Sequence, residues 1–126
     1  MEDRAIEPGD VTRVVLATGK IAHEAIARRD ELKAPVAVVR VEQLYPWPLE
    51  RIEEIIDSYP KLEEVLWLQE EPENMGAWPF VHLQMHRQLR DTKVRHVARA
   101  ESASPATGSG LVHAAEQADL LQRSIG

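Results

Sequence analysis

Between Pro35 and Val41 the chain runs Val36-Ala37-Val38-Val39-Arg40, almost unbroken in β-branched and small apolar residues. A strand with one wet face alternates apolar and polar residues. A near-continuous apolar run needs cover on both faces, as in a parallel sheet clothed by helices. Val11 to Ala17, which alternates weakly and is rich in Val and Leu, reads as a first strand, the short apolar run Val65 to Leu68 as a buried third, and Lys93 to Ala98 as a short fourth. Between these runs the apolar spacing changes to that of helices. Lys20 to Glu31 places Ile21, Ala22, Ala25 and Ile26 on one face. Leu49 to Ser58 turns Leu49, Ile52, Ile55 and Ile56 inward with Tyr59, and Pro60 ends it. A helix over about 79–90 buries Trp78, Val81, Met85 and Leu89. A last helix, Leu111 to Ser124, sets Ala114, Ala115, Ala118 and Leu121 on one side with Ile125. Strands alternating with helices predict an α/β fold: a three-layer α/β/α sandwich on a mainly parallel sheet of four to five strands.

Residues 1–10 read as a flexible arm ending at Pro8-Gly9-Asp10, and residues 11–126 as one domain, large enough for a real core. The net charge of −6 leaves no basic surface to neutralise phosphates, which argues against a nucleic-acid partner. With no cysteine, disulfides, thiolate metal sites and cysteine nucleophiles are excluded. The start, Met1-Glu2-Asp3-Arg4, lacks the apolar segment of a secretory signal, and no apolar run approaches the ~20 residues of a membrane span. The expectation is a soluble cytoplasmic domain with no membrane contact.

The third strand run breaks into Gln69-Glu70-Glu71-Pro72, followed by Asn74-Met75-Gly76 with turn chemistry and Ala77-Trp78-Pro79 opening a helix. Pro72 cannot donate to a ladder and is expected to stop the strand. Loops at the carboxyl ends of strands in open α/β sheets carry ligand or partner contacts, so this acidic corner is the first place to look for function. Glu70 and Glu71 are adjacent on an extended backbone and point to opposite faces, so they cannot converge on one substrate atom as an acid/base pair. Their expected use is ion pairing or helix-cap contact across a subunit interface. Trp47, Trp67 and Trp78 are three of only six aromatic residues. Trp is enriched at interface hot spots, and core packing accounts for Trp67 equally well.

Other motifs read as structural. Thr18-Gly19-Lys20 follows a strand and opens a helix, but Val14 stands where a phosphate loop needs its first glycine. His82 and His86 have the one-turn spacing of two metal ligands, without the HExxH pattern or a cysteine as third ligand. His113 and Glu116 share a helix face near the Ser/Thr/Gly loop, yet Gly108-Ser109-Gly110 lacks the flanking pattern of a nucleophile elbow. Thr107, Gly108 and Ser109 are expected to cap the final helix.

Trp67-Leu68-Gln69-Glu70-Glu71-Pro72, then Asn74, then Gly76-Ala77-Trp78, resembles the WVQEEPxNxGAW signature of the thiamine-dependent component of 2-oxoglutarate dehydrogenase. That signature lies in the enzyme's C-terminal, transketolase-like domain. Three further blocks fit in the same order: Leu16 to Lys20, Val39 to Pro46, and Ser104 to Ser109 with Val112-His113 and Glu116-Gln117. The resemblance covers roughly residues 11–125. It implies a domain that frames a homodimer and works with the catalytic domains of the same enzyme. Thiamine diphosphate and magnesium belong to those domains, and a lipoyl succinyltransferase component takes the product. The chain lacks the Gly-Asp-Gly and Asn-Asn motif of the diphosphate site, so no catalytic residue and no bound cofactor is expected here. Glu70, Glu71, Asn74 and Trp78 are the expected interface residues. In some relatives acetyl-CoA is an allosteric activator beside this domain. The positions carried over are Gln43 and Arg51, with Glu50 where those relatives have a basic residue. Two functions stay open: the C-terminal domain of such a dehydrogenase, or a stand-alone interaction or effector-binding module with the same fold.

Overall fold

The computed structural model describes residues 8–42, 47–72, 75–88, 93–99 and 110–126. After a single 3-10 turn at Pro8–Asp10, four strands alternate with four helices. They are β1 (Arg13–Ala17), α1 (Lys20–Leu32), β2 (Val36–Arg40), α2 (Leu49–Asp57), β3 (Glu64–Pro72), α3 (Trp78–Gln88), β4 (Lys93–Arg99) and α4 (Gly110–Ser124). The sheet has the order β2-β1-β3-β4 and every pairing is parallel. The expected α/β sandwich is present, with a sheet of four strands.

Alternate residues of the strands build two separate cores, which is why the runs look continuously apolar. Val14, Leu16, Ala37, Val39, Val65 and Trp67 face α2 and α3, meeting Ile52, Ile55, Ile56, Val81 and Met85. Val15, Ala17, Val36, Val38, Leu66 and Leu68 face α1 and α4, meeting Ile21, Ala22, Ala25, Leu120 and Ile125. From β1 the chain steps to β2 on one side, then returns past β1 to β3 and on to β4. The winding direction therefore reverses between β1 and β3, and the loops after these two strands flank the crevice where such sheets bind partners.

Two elements depart from their sequence reading. β3 does not stop at Leu68 but stays extended to Pro72, where it aligns with Arg99 after a register shift. β1 ends at the pair Ala17 and Leu68, so beyond that point β3 pairs on the β4 side alone. A strand paired on one side tolerates a residue without an N–H. In α4, Ala114, Ala115 and Ala118 are exposed rather than buried. Among the described side chains the buried positions are Leu120 and Ser124, with Ile125 just after the helix, and Glu116, Gln117 and Leu121 are half-buried. Alanine gives little direction to a helix, and here polar groups on the inner face find partners that sequence spacing does not reveal.

The amino ends of the strands are closed by charge. Glu64 receives hydrogen bonds from Arg13 and Arg95, the Arg95 Nε contact being 2.9 Å. Arg13 also donates through Nη1 to the Ser124 carbonyl at 2.8 Å, tying the end of α4 to the first turn of the sheet. The hydrogen bond from Arg95 holds the Glu64 carboxyl below its usual value against the opposing effect of burial, and Arg13 adds to the lowering.

Candidate functional site

The carboxyl ends of the strands hold both features of functional interest, the acidic corner after β3 and an open cavity beside β2. Within the corner, period-two alternation sends Gln69 and Glu71 toward the Trp67 face and Glu70 toward the Leu66 and Leu68 face. Gln69 is 3% exposed and holds the corner together. Its Oε1 accepts from the Trp67 indole N–H at 2.9 Å and from the backbone N–H of Trp78 at 2.9 Å. Its Nε2 donates to the carbonyls of Met75 at 2.9 Å and Glu71 at 3.2 Å. Trp78 is the first residue of α3, and its N–H is one of those that a helix leaves without an internal acceptor.

Glu70 and Glu71 diverge as their alternation requires. Glu70 accepts a hydrogen bond at 3.0 Å from Gln117 Nε2, which also donates to Glu24 at 2.6 Å. A neutral amide from α4 thus bridges a carboxylate of β3 and one of α1, and Lys20 stands 3.8 Å from Glu24. Glu71 is exposed and folds over Gly76. Gly76 has φ +66, and a Cβ there would lie 2.8 Å from the Glu71 carboxylate. Glycine is required at this turn both for its backbone and for that close approach.

Trp67 is a core residue at 1% exposure, whereas Trp47 and Trp78 are half-buried against the same core. Trp78 stacks on His96 of β4 with ring centroids 4.3 Å apart and lies 5.0 Å from the His82 ring. His82 and His86 are exposed with rings 6.1 Å apart. Among the described residues no three His, Asp or Glu side chains come together as metal ligands. Asn74, Gln43 and the loop holding Thr107, Gly108 and Ser109 lie outside the described residues, as does the side chain of His113.

The second feature is an open cavity of about 460 Å³ lined by Thr18, Gly19, His23, Arg40, Val41 and Glu42. The start of α1 forms one wall, at Gly19 with φ +70, and Arg40 lies 3.2 Å from His23. Arg51, in the first turn of α2, is exposed and donates to Glu54 at 3.1 Å.

Sequence reasoning placed the corner and the opposition of its two carboxylates, but it passed over Gln69 and Gln117. An amide at the end of a strand reads as a surface residue. The available signal was Gln69 two residues after Trp67, hence on the buried face.

Comparison with known proteins places these features in a family. The family described as 2-oxoglutarate dehydrogenase C-terminal matches residues 1–125. A multifunctional 2-oxoglutarate metabolism enzyme of Mycobacterium sp. (strain KMS) is 44% identical over 118 residues, covering 91% of this chain and 9% of that protein. A 2-oxoglutarate dehydrogenase E1 component of Rickettsia prowazekii (strain Madrid E) is 35% identical over 125 residues, covering 96% of this chain and 13% of that protein. Among solved structures, a split-gene transketolase described as an inactive beta4 tetramer superposes with a TM-score of 0.63 at 18% identity. That match covers 94% of this chain and 42% of the transketolase chain, and it supports the fold alone. The chain thus spans only about a tenth of the length of these curated relatives. It belongs to the 2-oxoglutarate dehydrogenase C-terminal family.

Proposed function

We propose that this chain is the framing domain of a thiamine-diphosphate-dependent 2-oxoglutarate dehydrogenase of the citric acid cycle. It supplies no catalytic residue and packs, through the corner of Glu70, Glu71, Asn74 and Trp78, against the catalytic domains of the same enzyme in a cytoplasmic homodimer. In that assembly 2-oxoglutarate is oxidatively decarboxylated, and the succinyl group passes to a lipoyl succinyltransferase component. The supporting observation is the family match over residues 1–125 set against relatives of which the chain covers 9% and 13%. The corner fits the framing role because it stands at the reversal point of the sheet with an exposed carboxylate and a half-buried Trp. Among the described residues no helix is long and apolar enough to cross a membrane.

Thiamine diphosphate and its magnesium belong, in this reading, to the catalytic domains, because the chain carries no Gly-Asp-Gly followed by Asn-Asn for the diphosphate site. No step of the reaction is assigned to this chain. The expected result is that the purified chain, given 2-oxoglutarate, thiamine diphosphate and magnesium, releases no carbon dioxide above buffer. Turnover by the chain alone overturns the framing role.

The open cavity supports an effector role at the same end of the sheet. Its lining reaches Glu42 and does not include Arg51, so the assignment of Gln43 and Arg51 to acetyl-CoA rests on the resemblance. Calorimetric titration of acetyl-CoA into the chain is expected to show binding that Arg51→Ala weakens. Heat that is unchanged by that substitution removes Arg51 from the site.

A further inference from the structure

We propose that Gln69 is the positioning residue of the acidic corner. Its buried amide holds the end of β3, Met75 and the start of α3 in one arrangement before any partner arrives, so that this part of the surface is preformed rather than moulded on contact. This assignment rests on the interface role proposed above.

The bonding pattern carries it. Gln69 ties together a strand side chain (Trp67), a loop carbonyl on each side of the turn (Glu71 and Met75), and the first N–H of α3 (Trp78). Position 69 is 3% exposed, on the same face as the core residue Trp67, where an apolar side chain is the usual occupant. What the amide adds is a donor and an acceptor at one point. β3 has lost its β1 neighbour at Leu68 and shifts register against β4 before Pro72, so the ladder alone fixes the corner poorly. The amide supplies the constraint where the sheet stops supplying it. A preformed surface loses less chain entropy on association, and so binds more tightly for the same contacts.

Two substitutions separate positioning from bulk stability. Gln69→Leu keeps the volume and removes the bonds to Trp67, Glu71, Met75 and Trp78, while Gln69→Glu keeps the acceptor and cannot donate to two carbonyls. Glu64→Gln, at the opposite end of the sheet, is the control for a general loss of stability. Amide exchange at Trp78 in the free chain is expected to accelerate about tenfold or more in Gln69→Leu, which removes its acceptor, and not in Gln69→Glu, which keeps it. Affinity for the separately expressed catalytic region is expected to fall about tenfold, a loss of roughly 1.4 kcal/mol. Glu64→Gln should move neither quantity. Wild-type exchange at Trp78 in Gln69→Leu overturns the proposal, as does faster exchange with undiminished affinity. If the wild-type chain does not bind the catalytic region at all, the interface role fails, and exchange alone then judges whether Gln69 orders the corner.

Discussion

Replacing Trp67 by alanine is expected to destabilise the chain by about 3–5 kcal/mol, as deletion of a fully buried large aromatic does. Trp67 is 1% exposed, lies beside Leu16 of β1 in the sheet register, and belongs to the core shared with α2 and α3. The loss has two sources. The emptied volume removes apolar burial and dispersion contacts from residues held by a central strand, where the surroundings cannot collapse to fill it. The indole N–H that Gln69 accepts is lost as well. Trp67→Phe separates these sources, because it retains most of the volume and loses the donor, for an expected cost of about 1 kcal/mol. Denaturant unfolding followed by far-UV circular dichroism checks both values. A Trp67→Ala midpoint near wild type with the same slope would place this side chain outside the cooperative core.

The second large effect is a pH dependence at the other end of the sheet. Glu64 accepts from two guanidinium groups and its side chain is only 14% exposed, so Glu64→Gln is expected to cost about 1–3 kcal/mol at neutral pH. The lower end is favoured because Arg95 is 36% exposed and therefore partly screened by water. Folding lowers the Glu64 pKa from its ordinary value of 4.5. A depressed carboxylate contributes stability that is complete above the unfolded value and lost as pH falls through the folded one. The stability gap between wild type and Glu64→Gln is therefore expected to be constant from neutral pH down to about 5, then to close as the pH falls further. A gap of the same size in strong acid would show that the glutamate acts there through shape rather than charge.

The readability of this chain from its sequence follows the range of the interactions involved. The strands and the two-sided sheet are written locally, in runs such as Val36 to Val39, because burial on both faces removes the need for alternation. Family membership is written in the residues from Trp67 to Trp78, whose turn glycine and proline leave few alternatives. The end of β3 was not legible, because a proline signals the loss of one hydrogen bond and not which neighbour stands on that side. Nor was the inner face of α4. Three alanines suggested one direction, while the true face depends on Gln117 reaching Glu24 and Glu70, respectively 93 and 47 residues away in sequence. The Arg13, Glu64 and Arg95 cluster is of the same kind, with partners 51 and 31 residues apart and only ordinary surface charges in the sequence. Of the candidate site, the location and the divergence of its carboxylates could be read, and the amide that orders it could not.

The division of the core between two helix layers sets an order of assembly. On the α2 and α3 side the described buried residues of the core lie between Val11 and Met85, so that most of this layer can close before α4 is made. On the other side, the apolar face of α1 at Ile21, Ala22 and Ala25 waits for Leu120 and Ile125, about a hundred residues later. Contacts this distant in sequence form late, since a long loop must be closed before they contribute. The part of the α1 face that α4 covers therefore stays open, beside the strands on which α1 already packs, until α4 has been made. The Arg13 contact with the Ser124 carbonyl then acts as a latch that closes only once α4 has docked on the sheet.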